Sequence, residues 1–136
     1  MKGVEIVVVG GRKMPKMDSG VLARLLRAKC DPYLVLSLGG AQKKTSKVCK
    51  RTLAPTWNET FAFEFAGERC REVLVECFDH DVVGAHDFIG STKIVLNEDN
   101  LVSSSPQSEW FKLINPDNKS LSAEVFLTVL PVFFPR

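Results

Sequence analysis

Residues 61–65 read Phe-Ala-Phe-Glu-Phe, and this alternation constrains the chain more than any other feature. In an extended strand successive side chains point to opposite faces, so Phe61, Phe63 and Phe65 share one face while Ala62 and Glu64 share the other. Three phenylalanines on one face need an apolar layer opposite, which the chain has to supply from further strands. The sequence offers seven more: VEIVVV at 4–9, YLVLSL at 33–38, TSKVCK at 45–50, VLVECFD at 73–79, DFIGSTKIVL at 87–96, EWFKL at 109–113 and AEVFLTVL at 123–130. In VLVECFD, Val73, Val75 and Cys77 fall on one face. Turn chemistry separates the runs: Gly10-Gly11, Gly39-Gly40, LAPT at 53–56, AGE at 66–68, the polar stretch 97–108 and NPDNKS at 115–120. Eight short strands at regular spacing predict an all-β, antiparallel sandwich or barrel.

A chain of 136 residues, 45% hydrophobic and 25% charged, suits one domain over residues 1–136 with a core large enough to stand alone. One segment breaks the β pattern. Between Asp18 and Asp31 the sequence SGVLARLLRAKC sets Leu22, Leu25 and Leu26 at helical spacing with Arg24 and Arg27 elsewhere on the wheel, which predicts a short helix over 21–29 inside a loop. Two turns are not stable alone in water and need a surface to lie on, protein or membrane.

The net charge of +2, from 18 basic and 16 acidic residues, selects no partner by itself. Cysteines 30, 49, 70 and 77 form no CxxC pair and have no histidine at metal-ligand spacing, and no secretory leader precedes MKGVEIVVVG. They read as free thiols of a reducing compartment. No apolar run approaches the roughly 20 residues of a spanning helix, so membrane contact is expected to be peripheral. A phosphate-binding glycine loop, a nucleophile elbow and HExxH are all absent from the sequence, which argues against an enzyme.

The chemistry concentrates in FDHDVVGAHD, residues 78–87. Asp79 and Asp81 stand at i and i+2 as a strand ends, and the five-residue tip brings Asp87 back beside them. Two unit charges about 4 Å apart repel by roughly 4 kcal/mol at an effective dielectric near 20, so three clustered carboxylates call for a cation. Oxygen ligands on a flexible loop suit Ca²⁺, which takes six to eight of them, better than octahedral Mg²⁺. Taken alone, the triplet also fits solvated turn residues, among which aspartate is common. A second acidic loop shifts the balance: Asp18 follows the first strand, and Pro32 fixes Asp31 in extended geometry at the mouth of the next. His80 and His86 flank the carboxylates without partners for zinc or a catalytic dyad, and read as loop residues whose protonation would make binding pH-sensitive. Trp57, Phe126, Phe133 and Phe134 read as core or strand-end packing rather than a ligand cage.

Five stretches in order resemble the C2 domain, the calcium and phospholipid binding module of protein kinase C and synaptotagmin. They are VEIVVVGGRKMPKMD, DPYLVLSL, TLAPTWNETFAFEF, FDHDVVGAHDFIG and EWFKL. The resemblance implies an eight-stranded Greek-key β-sandwich in the circularly permuted, type II topology, with the predicted helix inserted in the first calcium-binding loop. It implies Asp18, Asp31, Asp79, Asp81 and Asp87 as carboxylate ligands and the backbone carbonyls of Met17 and His80 as completing the shell. Five negative charges would hold two Ca²⁺ with a remainder near −1. Gly84 stands where members with a third ion often supply an oxygen, and the first loop is longer than the family's usual one. Val82 and Val83 at the loop tip would dip into the headgroup boundary, where full burial of a valine is worth roughly 1.5 kcal/mol or more.

QKKTSKVCKR, residues 42–51, carries Lys43, Lys44, Lys47, Lys50 and Arg51. If Ser46 and Val48 face the core, Lys47 and Cys49 face out together with Thr45 and Lys43. The resemblance makes Lys43, Thr45 and Lys47 an anionic-lipid surface, with about 1 kcal/mol for each basic residue near an anionic leaflet; a lysine-guarded edge strand fits equally well. The expected function is thus Ca²⁺-dependent peripheral targeting of a cytoplasmic monomer to membranes rich in phosphatidylserine or phosphoinositide, with no nucleic acid partner. The alternative is a Ca²⁺-independent module that binds protein or phosphoinositide through residues 43–51 or the inserted helix.

Overall fold

A computed structural model describes residues 3–16, 30–40, 42–65, 71–81, 86–96 and 106–132. These form eight strands: β1 (Gly3–Arg12), β2 (Pro32–Leu38), β3 (Gln42–Thr45), β4 (Thr56–Glu64), β5 (Arg71–Asp79), β6 (Asp87–Leu96), β7 (Gln107–Lys112) and β8 (Glu124–Val132). Two four-stranded antiparallel sheets result, ordered β4-β1-β8-β7 and β3-β2-β5-β6. The last strand lies between β1 and β7, the strand order of the permuted topology expected from the sequence.

Alternation dictates which side chains meet between the sheets. Val4, Ile6 and Val8 of β1, Val73, Val75 and Cys77 of β5, and Val125, Leu127 and Val129 of β8 are all buried in one apolar cluster with Leu34, Leu36, Ile89, Ile94 and Leu96. The Phe-Ala-Phe-Glu-Phe segment behaves as its pattern requires: Phe63 is buried, Phe61 and Phe65 pack on the core, and Ala62 and Glu64 are exposed. Trp57, the second residue of β4, is fully buried in the same layer.

Two of the strand boundaries that differ from the sequence reading bear on the site. The edge strand over 45–50 lies instead at Gln42–Thr45, started by a glycine pair with φ of 60° and 78° at Gly39 and Gly40. Beyond Thr45 the chain still follows β2 through Ser46 N–H to Leu34 O and Cys49 N–H to Pro32 O. Cys49, expected to face out, is half-buried, packs on the core and donates its thiol to Thr56 O at 3.2 Å. The segment has left regular pairing, so strict alternation no longer decides its direction. β5 also starts two residues earlier than expected, which brings Arg71 into its inward-facing row. The predicted helix over 21–29 lies outside the described residues.

Candidate metal centre

Because every strand reverses, the connections after β1, β3, β5 and β7 gather at one end of the sandwich. Four hydrogen bonds bind the connection after β3 to the two sides of the connection after β1. Residues 51–55 act as a splint: Pro55 O accepts from Gly11 N–H, Leu53 O from Met14 N–H, and Thr52 N–H donates to Cys30 O. In the fourth, Arg51 N–H donates to Asp31 Oδ1 at 2.6 Å. The stems of the first loop, Met14 on one side and Cys30 on the other, are both buried. With Cys77 they form a sulfur-lined plug, Cys77 Sγ lying 4.0 Å from Met14 Sδ.

The acidic residues sit on this foundation. Asp79 ends β5 in the inward-facing row of Val73, Val75 and Cys77, and is itself only 6% exposed. Its Oδ1 accepts from Asp31 N–H at 2.8 Å, and His80 N–H returns a bond to Asp31 O at 2.9 Å. In register, Asp79 pairs with Pro32 on one side and Asp87 on the other. Antiparallel partners have Cα atoms about 4.5–5.5 Å apart and share a face, so Asp79 and Asp87 lie side by side, while Asp31, one residue before Pro32, reaches Asp79 through its backbone N–H. Asp81 and Asp87 are exposed, and Asp81 N–H donates to His86 Nδ1 at 3.0 Å. That bond requires a bare Nδ1, which places the proton of a neutral His86 on Nε2.

The described part of the site therefore offers carboxylate oxygens from Asp31, Asp79, Asp81 and Asp87 and the carbonyl of His80, a donor set that fits a hard divalent cation. Among the described residues, no three acidic, histidine or cysteine side chains stand assembled around a common metal position. Asp18, Met17, Val82 and Val83 lie outside the described residues.

An aromatic flank supports the same end. Tyr33 stacks on Phe78 with centroids 5.7 Å apart, and its ring meets His86 edge-on at 5.5 Å. His80 and His86 lie 4.7 Å apart. Burial, aided by the neighbouring Cys30 thiol and the Asp79 carboxylate, pushes the Cys77 thiol well above its ordinary value. Burial also raises Cys49. Both are therefore held in the thiol form at neutral pH.

On the basic edge, Lys43, Lys44, Thr45 and Lys47 are exposed while Ser46 is buried, its hydroxyl accepting from Leu34 N–H. Lys47 N–H donates to Glu59 Oε2. The sequence reading found the carboxylates but missed the splint and the plug. The apolar residues bracketing the first loop, Met14 and Cys30, were the available signal for the plug.

An antiparallel sandwich with acidic strand ends gathered beneath three loops is the architecture of a C2 module. The C2 domain family model matches residues 2–113, and the chain belongs to that family. Mouse Ras GTPase-activating protein 4 is 37% identical over 90 residues, covering 66% of this chain and 11% of that protein. The chain thus spans about a tenth of the length of the first curated relatives it matches. Among solved structures, a C2 domain of plant Extended Synaptotagmin 1 superposes with a TM-score of 0.82 at 20% identity, covering 99% of this chain and 97% of that one. The calcium-bound pair of C2 domains from Extended-Synaptotagmin 2 gives 0.76 at 24% identity, over 95% of this chain and 45% of that one. Likeness at that identity concerns the fold.

Proposed function

We propose that this C2 domain is a Ca²⁺-dependent, non-catalytic module that attaches to anionic phospholipid through the loops at the β1, β3 and β5 ends. The observation that carries the reading is the buried Asp79 carboxylate, held by Asp31 N–H and paired in register with Asp87 on the neighbouring strand. Carboxylates grouped at strand ends beside a free backbone carbonyl are the oxygen donor set that a hard divalent cation takes. Asp18, Asp31, Asp79, Asp81 and Asp87 would hold two Ca²⁺ with the carbonyls of Met17 and His80. Bound there, the ions supply positive charge and open coordination positions for lipid phosphate. The residues themselves do the rest: the splint holds Asp31 against Asp79, and Val82 and Val83 enter the apolar boundary. Extended-Synaptotagmin 2, whose fold this chain shares, has been solved with calcium.

Residues 1–136 act as one unit in this reading, a cytoplasmic monomer recruited peripherally. No helix among the described residues is long and apolar enough to cross a membrane. Sedimentation with phosphatidylserine vesicles tests the proposal: the protein pellets with Ca²⁺ and stays in the supernatant with chelator. Equal pelleting in both would instead favour the Ca²⁺-independent alternative, for which the exposed Lys43, Lys44, Thr45 and Lys47 provide a surface for phosphoinositide or an acidic protein.

A further inference from the structure

The outer face of the β4-β1-β8-β7 sheet carries a groove that the metal centre does not use. By register, one rung of this sheet runs Thr56, Gly10, Phe126, Trp110, and the next rung toward the loops runs Arg12, Glu124, Lys112. Side chains two residues apart on a strand share a face, so both rungs point away from the buried Val125 and Leu127. Gly10 puts no side chain into the middle of its rung, and β1 bulges between Val8 and Gly10. A trough of about 490 Å³ results, with Gly10 and Gly11 as its floor, Pro55 and Thr56 on one side and Trp110 and Phe126 on the other. That volume is within the range of small-ligand sites.

The aromatic wall is open to water: Trp110 meets Phe126 edge to face with centroids 5.1 Å apart and keeps 38% exposure. At the rim nearer the loops, the Arg12 guanidinium carbon lies 3.8 Å from the centroid of the Trp110 ring, and its Nε donates to Glu124 Oε1 at 3.0 Å. Stacking takes one face of the guanidinium and Glu124 takes one donor. The terminal Nη groups remain in the plane for an acceptor from solvent, on a side chain that is 43% exposed. Glu124 offsets one positive charge, and the exposed Lys13 and Lys112 leave the rim basic. An apolar trough under a basic rim complements a molecule with a hydrocarbon tail and an anionic head.

We propose that this groove seats one anionic phospholipid, with an acyl chain against Trp110 and Phe126 and the phosphate on Arg12. The seat needs no Ca²⁺ and lies on the other sheet from Lys43, Lys44 and Thr45. Arg12 ends β1 where the chain enters the first loop, so the seat opens toward the end that would meet the membrane; that orientation rests on the Ca²⁺ reading, whereas the lipid chemistry does not. One acyl chain gives only marginal membrane attachment, so the seat adds to the loops without replacing them.

Trp110 reports on its own site, because Trp57, the chain's other tryptophan, is only 1% exposed. The full chain in chelator is titrated with dihexanoyl phosphatidylserine, kept below its micelle-forming concentration, and followed by tryptophan emission. The expected result is a saturable change, lost in Trp110→Phe and moved to roughly tenfold higher lipid in Arg12→Gln. Glycerophosphoserine, the same headgroup without chains, and dihexanoyl phosphatidylcholine should each need about tenfold more than the wild type needs of the serine lipid. A choline lipid or a chainless headgroup that works as well as the serine lipid overturns the proposal. So does a response that Arg12→Gln leaves unmoved, or a flat titration, which would give the groove to another occupant such as a peptide. A flat titration beside Ca²⁺-dependent pelleting of vesicles sinks this seat alone; saturable binding beside pelleting that ignores Ca²⁺ sinks the Ca²⁺ reading alone.

Discussion

Asp79 serves the fold and the proposed site with different atoms of one carboxylate, and substitutions separate the two roles. Asp79→Asn keeps an acceptor for Asp31 N–H but removes the charge; its urea midpoint is expected to stay close to wild type while Ca²⁺-dependent pelleting is lost. Asp79→Ala strands the Asp31 N–H as well, and costs about 1–3 kcal/mol in the same denaturation. Cys77 gives a second test, in pH. Its folded value is raised by burial first, then by Cys30 and Asp79, so the folded protein resists losing that proton. Stability from this source is complete below the unfolded thiol's pKa, about 8.5, and declines as pH rises from there toward the folded value. The urea midpoint should fall above that pH, and Cys77→Val should flatten the fall.

Among the elements, the 51–55 splint and β3 carry the separate tasks of placing the loops and presenting charge. A Cβ at Gly10 would lie 2.7 Å from Pro55 O, next to the bond from Gly11 N–H that anchors the splint. Gly10→Ala should therefore cost about 1–3 kcal/mol and weaken Ca²⁺ binding, both readable by denaturation with and without the ion. On β3, replacing Lys43, Lys44 and Lys47 with glutamine should lower affinity for anionic vesicles by roughly 100-fold at low salt, at about 1 kcal/mol per lysine, with no change in Tm. Alternation made β4 and β5 legible because both faces of those strands are committed. It failed at 45–50, where hydrogen bonds to β2 continue after regular pairing ends and Cys49 turns toward the core. It also hid Arg71, because a charged residue at a strand's start reads as a turn until neighbouring strands close over it.

For the whole molecule, an aspartate spacing combined with a reversing strand order was enough to anticipate that Asp31, Asp79 and Asp87 meet at one end. The depth of Asp79 in the core row was not readable, since burial depends on the opposing sheet rather than on local pattern. The same strand carries opposite charges at its two ends, Arg71 where it starts and Asp79 where it stops, both buried. The central claim is that the acidic end binds Ca²⁺. A ligand that binds only the folded state stabilises it by RT ln(1 + [L]/Kd), about 2.7 kcal/mol at a hundredfold excess over Kd. Melting the wild type and Asp79→Asn in Ca²⁺ and in chelator measures this directly: a wild-type Tm higher by several degrees in Ca²⁺, absent in the variant, is the predicted result, and identical wild-type melting curves at saturating Ca²⁺ would contradict the account.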